Sequence, residues 1–87
     1  MTKFSEIITI ATIIDMNDAQ DAYIDVYDEN RNMLASVYVN SYLYNDKARR
    51  EFFNKVDINK TFDNFLIVSE YDDEFEYHRT VSIECYY

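Results

Sequence analysis

The sequence predicts an α+β domain of two layers, a mainly antiparallel sheet of about five strands with one helix on one face. Three observations lead there. Residues 22–28 and 33–43 alternate apolar and polar side chains with the period of two that a half-buried strand requires. Between Asn45 and Val56 the period changes, and Ala48, Phe52 and Val56 recur every four residues as on a helix. A single helix covers only one face of such a sheet, which fixes a two-layer arrangement.

Taken in order, residues 7–14 are rich in β-branched side chains and read as a first strand. Residues 15–21 (DMNDAQD) form a polar connection. In the second strand Ala22, Ile24 and Val26 share one face, with Tyr23, Asp25 and Tyr27 on the other. Glu29, Asn30, Arg31 and Asn32 supply a hairpin turn. The third strand places Met33, Ala35, Val37 and Val39 on one side and Ser36, Tyr38, Asn40 and Tyr42 on the other. Asn45 or Asp46 caps the helix, which runs to about Val56 and carries the favourable pairs Asp46–Arg50 and Glu51–Lys55. Residues 65–71 return to strand character, Asp72, Asp73 and Glu74 turn the chain, and residues 75–86 form a long last strand. The predicted order is β-β-β-α-β-β, in one domain covering residues 1–87.

Composition excludes several function classes. The chain has 87 residues, 48% of them hydrophobic and 17% aromatic, so it carries material for one modest core. It has no glycine and no proline. Glycine-rich phosphate loops and dinucleotide fingerprints are thereby excluded, and turns rely on Asn and Asp. The shortage of residues with GC-rich codons suits an AT-rich genome, such as that of a low-GC bacterium or its phage. The longest apolar stretch, residues 7–14, is broken by Thr9 and Thr12 and is far shorter than the ~20 residues of a membrane span. Lys3 is the single basic residue before it and Glu6 adjoins it, which argues against a secretory signal. Cys85 stands alone. These features predict a cytoplasmic protein.

The most informative property is charge: 17 acidic side chains against eight basic, a net of −9. The basic groups Lys47, Arg49, Arg50, Lys55 and Lys60 gather in residues 44–61, between two acidic blocks. An acidic surface repels nucleic acid and membranes and attracts basic proteins. With a helix crossing the sheet once, Asp15, Asp18 and Asp21 meet Asp72, Asp73, Glu74 and Glu76 at one end as a negative pole. The expected open face carries Tyr23, Asp25, Tyr27, Tyr38, Asn40 and Tyr42, to which the last strand adds Glu76, His78, Thr80, Ser82, Glu84 and Tyr86. Such a face is either a solvated surface or an interface in which tyrosines give contact area and carboxylates imitate phosphates. The basic island reads as the solvated face of the helix.

Enzymatic and metal chemistry find little support in these residues. Residues 15–21 begin like a calcium loop but lack its glycine and its terminal carboxylate. One His and one Cys cannot build a usual zinc set. His78, with Glu76 and Thr80 on its own face, is the single candidate general base, and no second His supports another arrangement. The expectation is no enzyme, no cofactor and no metal.

In size, acidity and small α+β layout the chain resembles phage-encoded inhibitors of bacterial defence nucleases, the anti-CRISPR and anti-restriction DNA mimics. The resemblance is compositional and spans the whole chain. It implies a stoichiometric inhibitor, monomeric or homodimeric, that occupies the nucleic-acid groove of a basic defence protein in the host cytoplasm without binding nucleic acid itself. The partner-binding residues it implies are Asp15, Asp18, Asp21, Tyr23, Asp25, Tyr27, Tyr38, Asp72, Asp73, Glu74 and Glu76. Acidic immunity proteins or antitoxins that neutralise toxic nucleases are similar in size and charge, and a small structural or regulatory phage protein is a further alternative.

Overall fold

The segment expected as the first strand is a helix. In the computed structural model, which describes residues 1–17, 20–71 and 79–87, α1 (Phe4–Met16) buries Phe4, Ile7 and Ala11. Spacings of three and four residues bring these side chains onto one helical face. Its threonine hydroxyls are satisfied within the helix. The Thr9 and Thr12 hydroxyls donate to the carbonyls of Ser5 (3.0 Å) and Ile8 (2.8 Å), one turn back. Asn17 closes the end, its amide side chain donating to the Ile13 carbonyl at 3.1 Å. The start is tied down by an isolated bridge in which Thr2 and Phe62 exchange backbone hydrogen bonds of 3.0 and 2.8 Å.

Among the described residues four strands follow where five were expected: β1 (Gln20–Tyr27), β2 (Met33–Tyr38), β3 (Asn64–Tyr71) and β4 (Arg79–Tyr86). The β1–β2 turn needs no glycine. Asp28 Oδ1 accepts from the amides of Asn30 (2.8 Å) and Asn32 (2.9 Å), and Arg31 takes the left-handed conformation at φ 65°. The expected third strand stops at Tyr38. Beyond it α2 (Val39–Tyr44) turns Val39 into the core, because helical geometry buries it together with parts of Tyr42 and Leu43. Asn45 then caps α3 (Asp46–Phe53), its side-chain oxygen accepting from the Ala48 amide at 3.1 Å. The cap matches expectation, but the helix ends at Phe53, short of Val56.

Part of the basic island has a structural task. Arg49 donates to the Tyr42 carbonyl at 3.0 Å and forms an ion pair with Asp46, which satisfies the open C-terminal end of α2. The pairing of Asp46 is therefore with Arg49 rather than with Arg50.

The sheet order is β2-β1-β4-β3, and it is mixed. β1 pairs with β2 antiparallel and with β4 parallel, while β3 and β4 are antiparallel. After β2 the chain passes through α2 and α3 to the far edge, forms β3, and returns as β4 in the centre. The helices occupy one layer, α1 over β1 and β4, α2 over β1 and β2, α3 over β2. Between the layers lies one core in which Phe4, Ile7 and Phe52 meet Ile24, Val26, Val37, Ile83 and Cys85. Phe4, Tyr42, Phe52 and Phe53 form an aromatic group with ring centroids 5.8 to 6.4 Å apart, mostly edge-on. Two layers and α+β class are thus observed, with three helices among the described residues in place of one.

The helical reading of residues 4–16 has a sharp consequence. On a strand Ile7 and Ile13 would share a face, whereas on α1 Ile7 is fully buried and Ile13 is exposed. Ile7→Ala is expected to cost about 2–5 kcal/mol, and Ile13→Ala less than about 0.5 kcal/mol. Urea unfolding of the two variants distinguishes these outcomes, and equal losses would contradict the helix.

Candidate protein-binding face

The face of the sheet opposite the helices carries no second layer among the described residues, and the strand register sets out what it displays. Three rows run across it. Tyr38, Tyr23, Ser82 and Val68 are in register; so are Ser36, Asp25, Glu84 and Leu66; so are Met33, Tyr27, Tyr86 and Asn64. Alternation along each strand puts these side chains on one side, save that a register shift between Val26 and Tyr27 interrupts the alternation of β2 before Met33, while Ala22, Ile24, Val26, Val81, Ile83 and Cys85 point into the core.

The centre of this face is a pair of carboxylates, Asp25 and Glu84, side by side on parallel strands. Aromatic pairs frame them. Tyr23 and Tyr38 have ring centroids 5.3 Å apart, and Tyr27 and Tyr86 stack at 4.9 Å with an interplanar angle of 15°. The Arg31 guanidinium lies 5.0 Å from the Tyr86 ring centroid, which places a cation on the outer surface of the stack. Asp25 is 9% exposed and accepts from the Ser36 hydroxyl at 2.5 Å. The Tyr86 hydroxyl donates to Glu84 Oε1 and the Tyr38 hydroxyl to Asp21 Oδ1, each at 3.1 Å. Among the described residues no cation lies within ion-pair distance of Asp25 or Glu84.

These surroundings hold the phenols protonated. Burial, then the charges of Glu84 and Asp25, raise Tyr27 above its ordinary value. For Tyr38 the main cause is its hydrogen bond to Asp21, and for Tyr86 it is burial followed by the bond to Glu84. Each phenol therefore remains a neutral donor throughout the physiological range.

Of the residues expected to bind a partner, Tyr23, Asp25, Tyr27 and Tyr38 come together on this face, with Asp21 at its end. Asp15 lies on the last turn of α1, close enough for its charge to act on Tyr38. Asp18, Asp72, Asp73, Glu74 and Glu76, like His78, lie outside the described residues. The strand ends that flank them share one end of the sheet, since Gln20 and Tyr71 both pair with Arg79. Tyr42 and Asn40 were expected on the open face and are absent from it. Both sit on α2, and Tyr42 packs in the aromatic group under the helices. Arg31 was read only as part of a turn. Glu84 and Tyr86 were legible as outward positions of the last strand, but their place beside Asp25 and Tyr27 depends on a parallel pairing that alternation does not reveal.

Elsewhere, a cleft of about 510 Å³ opens at the start of α1, with Phe4, Ile8, Tyr42 and Ile58 as its apolar wall and Lys3 and Lys60 at its rim. It belongs to the helical side of the molecule. Among the described residues no group of three or more His, Cys, Asp or Glu side chains is arranged to hold a metal ion, and no helix is long and apolar enough to cross a membrane. Comparison with protein-family models, with curated proteins and with solved structures returned no match.

The buried face beneath the tyrosines gives a pH prediction. Cys85 is fully buried, and burial, with the Asp25 charge adding to it, pushes its thiol from 9.0 up to about 12. An unfolded chain loses that proton near pH 9 and the folded one only near 12. Unfolding thus releases a proton in that window, and stability falls as pH rises. The expected slope is about 1.4 kcal/mol per pH unit, steepened above about pH 10 by the raised tyrosines. Urea midpoints recorded from pH 8 to 12 check this, and Cys85→Ala should flatten the early part of the decline.

Proposed function

We propose that this chain is a stoichiometric protein inhibitor whose tyrosine-and-carboxylate face occupies the nucleic-acid-binding groove of a basic bacterial defence protein, of the kind that anti-CRISPR and anti-restriction proteins block. The observation that carries the reading is the Asp25–Glu84 pair, framed by Tyr23, Tyr38, Tyr27 and Tyr86 on a face that carries no second layer among the described residues.

Physical chemistry supports a basic partner. Two carboxylates in register on neighbouring strands repel each other, at a cost of roughly 0.2–1 kcal/mol. A guanidinium or ammonium group placed between them relieves the repulsion and gains charge-assisted hydrogen bonds. The ring faces on either side accept cations as well, and Arg31 over Tyr86 is an intramolecular instance of that contact. Groups of this type line grooves that hold phosphate. The net charge of −9 supplies long-range attraction and would accelerate encounter. The role is one of occupancy and calls for no catalytic group or cofactor. Asp72, Asp73 and Glu74 add charge from the sequence beside Tyr71 and are assigned to steering.

The proposal separates binding from stability. Glu84→Gln keeps the shape of the side chain and its bond to Tyr86 while removing the repulsion. It should raise folding stability by about 0.2–1 kcal/mol and weaken the partner interaction. Tyr27→Ala should also weaken it. The experiment is affinity capture with the immobilised chain from a low-GC bacterial lysate, followed by salt elution. A basic nucleic-acid-binding protein is expected to be retained, released by salt, and lost with Glu84→Gln/Tyr27→Ala. Once a partner is isolated, reversal of Asp72, Asp73 and Glu74 to Lys should slow association by about tenfold or more at low salt. Retention that ignores both salt and these substitutions would overturn the reading.

A further inference from the structure

Among the described residues β3 is open along one edge, and of its side chains Phe65 alone packs against the core. The strand forms one edge of the sheet, so every second residue turns its backbone N–H and C=O away from β4, to a side where no strand lies among the described residues. No helix packs on it among the described residues, and its opposite face belongs to the open side. Its side chains suit none of this. Leu66 is 47% exposed and Val68 36% on the open face, and Ile67 is 51% exposed on the helical face. Apolar residues on both faces are the pattern of a strand buried on both sides.

The devices that usually protect an edge are missing. Residues 64–69 (NFLIVS) contain no charge and no proline, and Glu70 is the single ionisable carboxylate of the strand. In a chain of −9 this is a neutral stretch on which a like-charged molecule can settle. The Thr2–Phe62 bridge already occupies the chain just before β3, so the free edge begins at Asn64.

We infer that β3 is a self-association edge, on which a second copy of this chain pairs its own β3 in the antiparallel sense about a two-fold axis at Ile67. The face requirement admits only registers centred on a residue, and Ile67 is the middle of the uncharged run 65–69. A two-fold axis normal to the sheet keeps both open faces on the same side, so paired residues must have the same parity. Centred on Ile67, the ladder sets Ile67 opposite the second copy's Ile67. Leu66 then faces Val68, Phe65 faces Ser69, and Asn64 faces Glu70. The two Glu70 carboxylates fall six residues apart, about 20 Å along the ladder. A parallel pairing would set them side by side. A centre at Val68 would set Leu66 against Glu70. The resulting sheet has eight strands, with both tyrosine faces on one side, and its formation does not depend on the function proposed above.

Salt separates this contact from the other. Two bodies of like charge associate more readily when salt screens their repulsion, whereas binding to a basic partner weakens. Sedimentation equilibrium is the test. The wild-type chain should show twice its 10.5 kDa mass at micromolar concentration, with a dissociation constant that falls as salt rises. Ile67→Lys sets two cations opposite each other and should raise that constant by at least roughly tenfold; Ile67→Glu should do the same. An equimolar mixture of the two variants should recover a dimer, which a misfolded variant would not do. Ile13→Lys, on the exposed part of α1, should leave the dimer intact. A wild-type monomer at every concentration up to about 1 mM, a dimer unaffected by Ile67→Lys, or one abolished by Ile13→Lys would overturn the inference.

Discussion

The parallel pairing of β1 with β4 is the interaction on which the rest of this structure depends. Residues 20–27 run in register with residues 79–86 through the centre of the sheet. On the lower face that register sets Ile24 beside Ile83 and Val26 beside Cys85, and so builds the floor on which α1 packs. On the upper face the same register sets Asp25 beside Glu84 and Tyr27 beside Tyr86. One set of backbone hydrogen bonds thus assembles both the core and the candidate binding face. The arrangement also forces the long passage from β2 to the opposite edge, since β4 can enter the centre only after β3 has been laid down. Non-local pairing of this kind carries a loop-closure cost that must be met before the core repays it.

How much of this was legible in the sequence depends on the range of the interaction. Alternation in residues 22–27, in residues 33–38 and in the last strand identified those strands and their faces, because a period of two needs only neighbours to be seen. A cap at Asn45 or Asp46 was legible for a similarly local reason, and Asn45 is the one that forms it. Residues 7–14 misled because β-branched side chains favour strands on average. Yet Phe4, Ile7 and Ala11 recur at helical spacing, and the threonines bond to carbonyls one turn back. Tertiary burial of that stripe outweighed the weak local preference. Val39 to Tyr44 misled in the opposite way, since an alternating pattern continued past the point where the chain leaves the sheet. Nothing local could announce that β1 and β4, more than fifty residues apart in sequence, are parallel neighbours.

The open face shows a tension between folding and recognition. Adjacent carboxylates in a sheet cost stability, and the Tyr38 and Tyr86 hydroxyls are committed to Asp21 and Glu84 within the same face. A protein shaped for stability alone would gain by alternating charge across the strands. The concentration of like charge with aromatic surface makes sense when a cationic surface completes it. The neutral edge at β3 follows a different logic: there, backbone groups and aliphatic side chains are left open, and the complement they call for is another strand of the same kind.

The central claim is that Tyr23, Asp25, Tyr27, Tyr38, Glu84 and Tyr86 meet a basic partner. The most direct measurement is backbone amide hydrogen exchange of the chain, free and in the complex with the protein it retains. The account predicts added protection along β1 and β4 on the tyrosine face, with α1 and α3 unchanged. Protection confined to the helical layer, or to the cleft between Lys3 and Lys60, would contradict it.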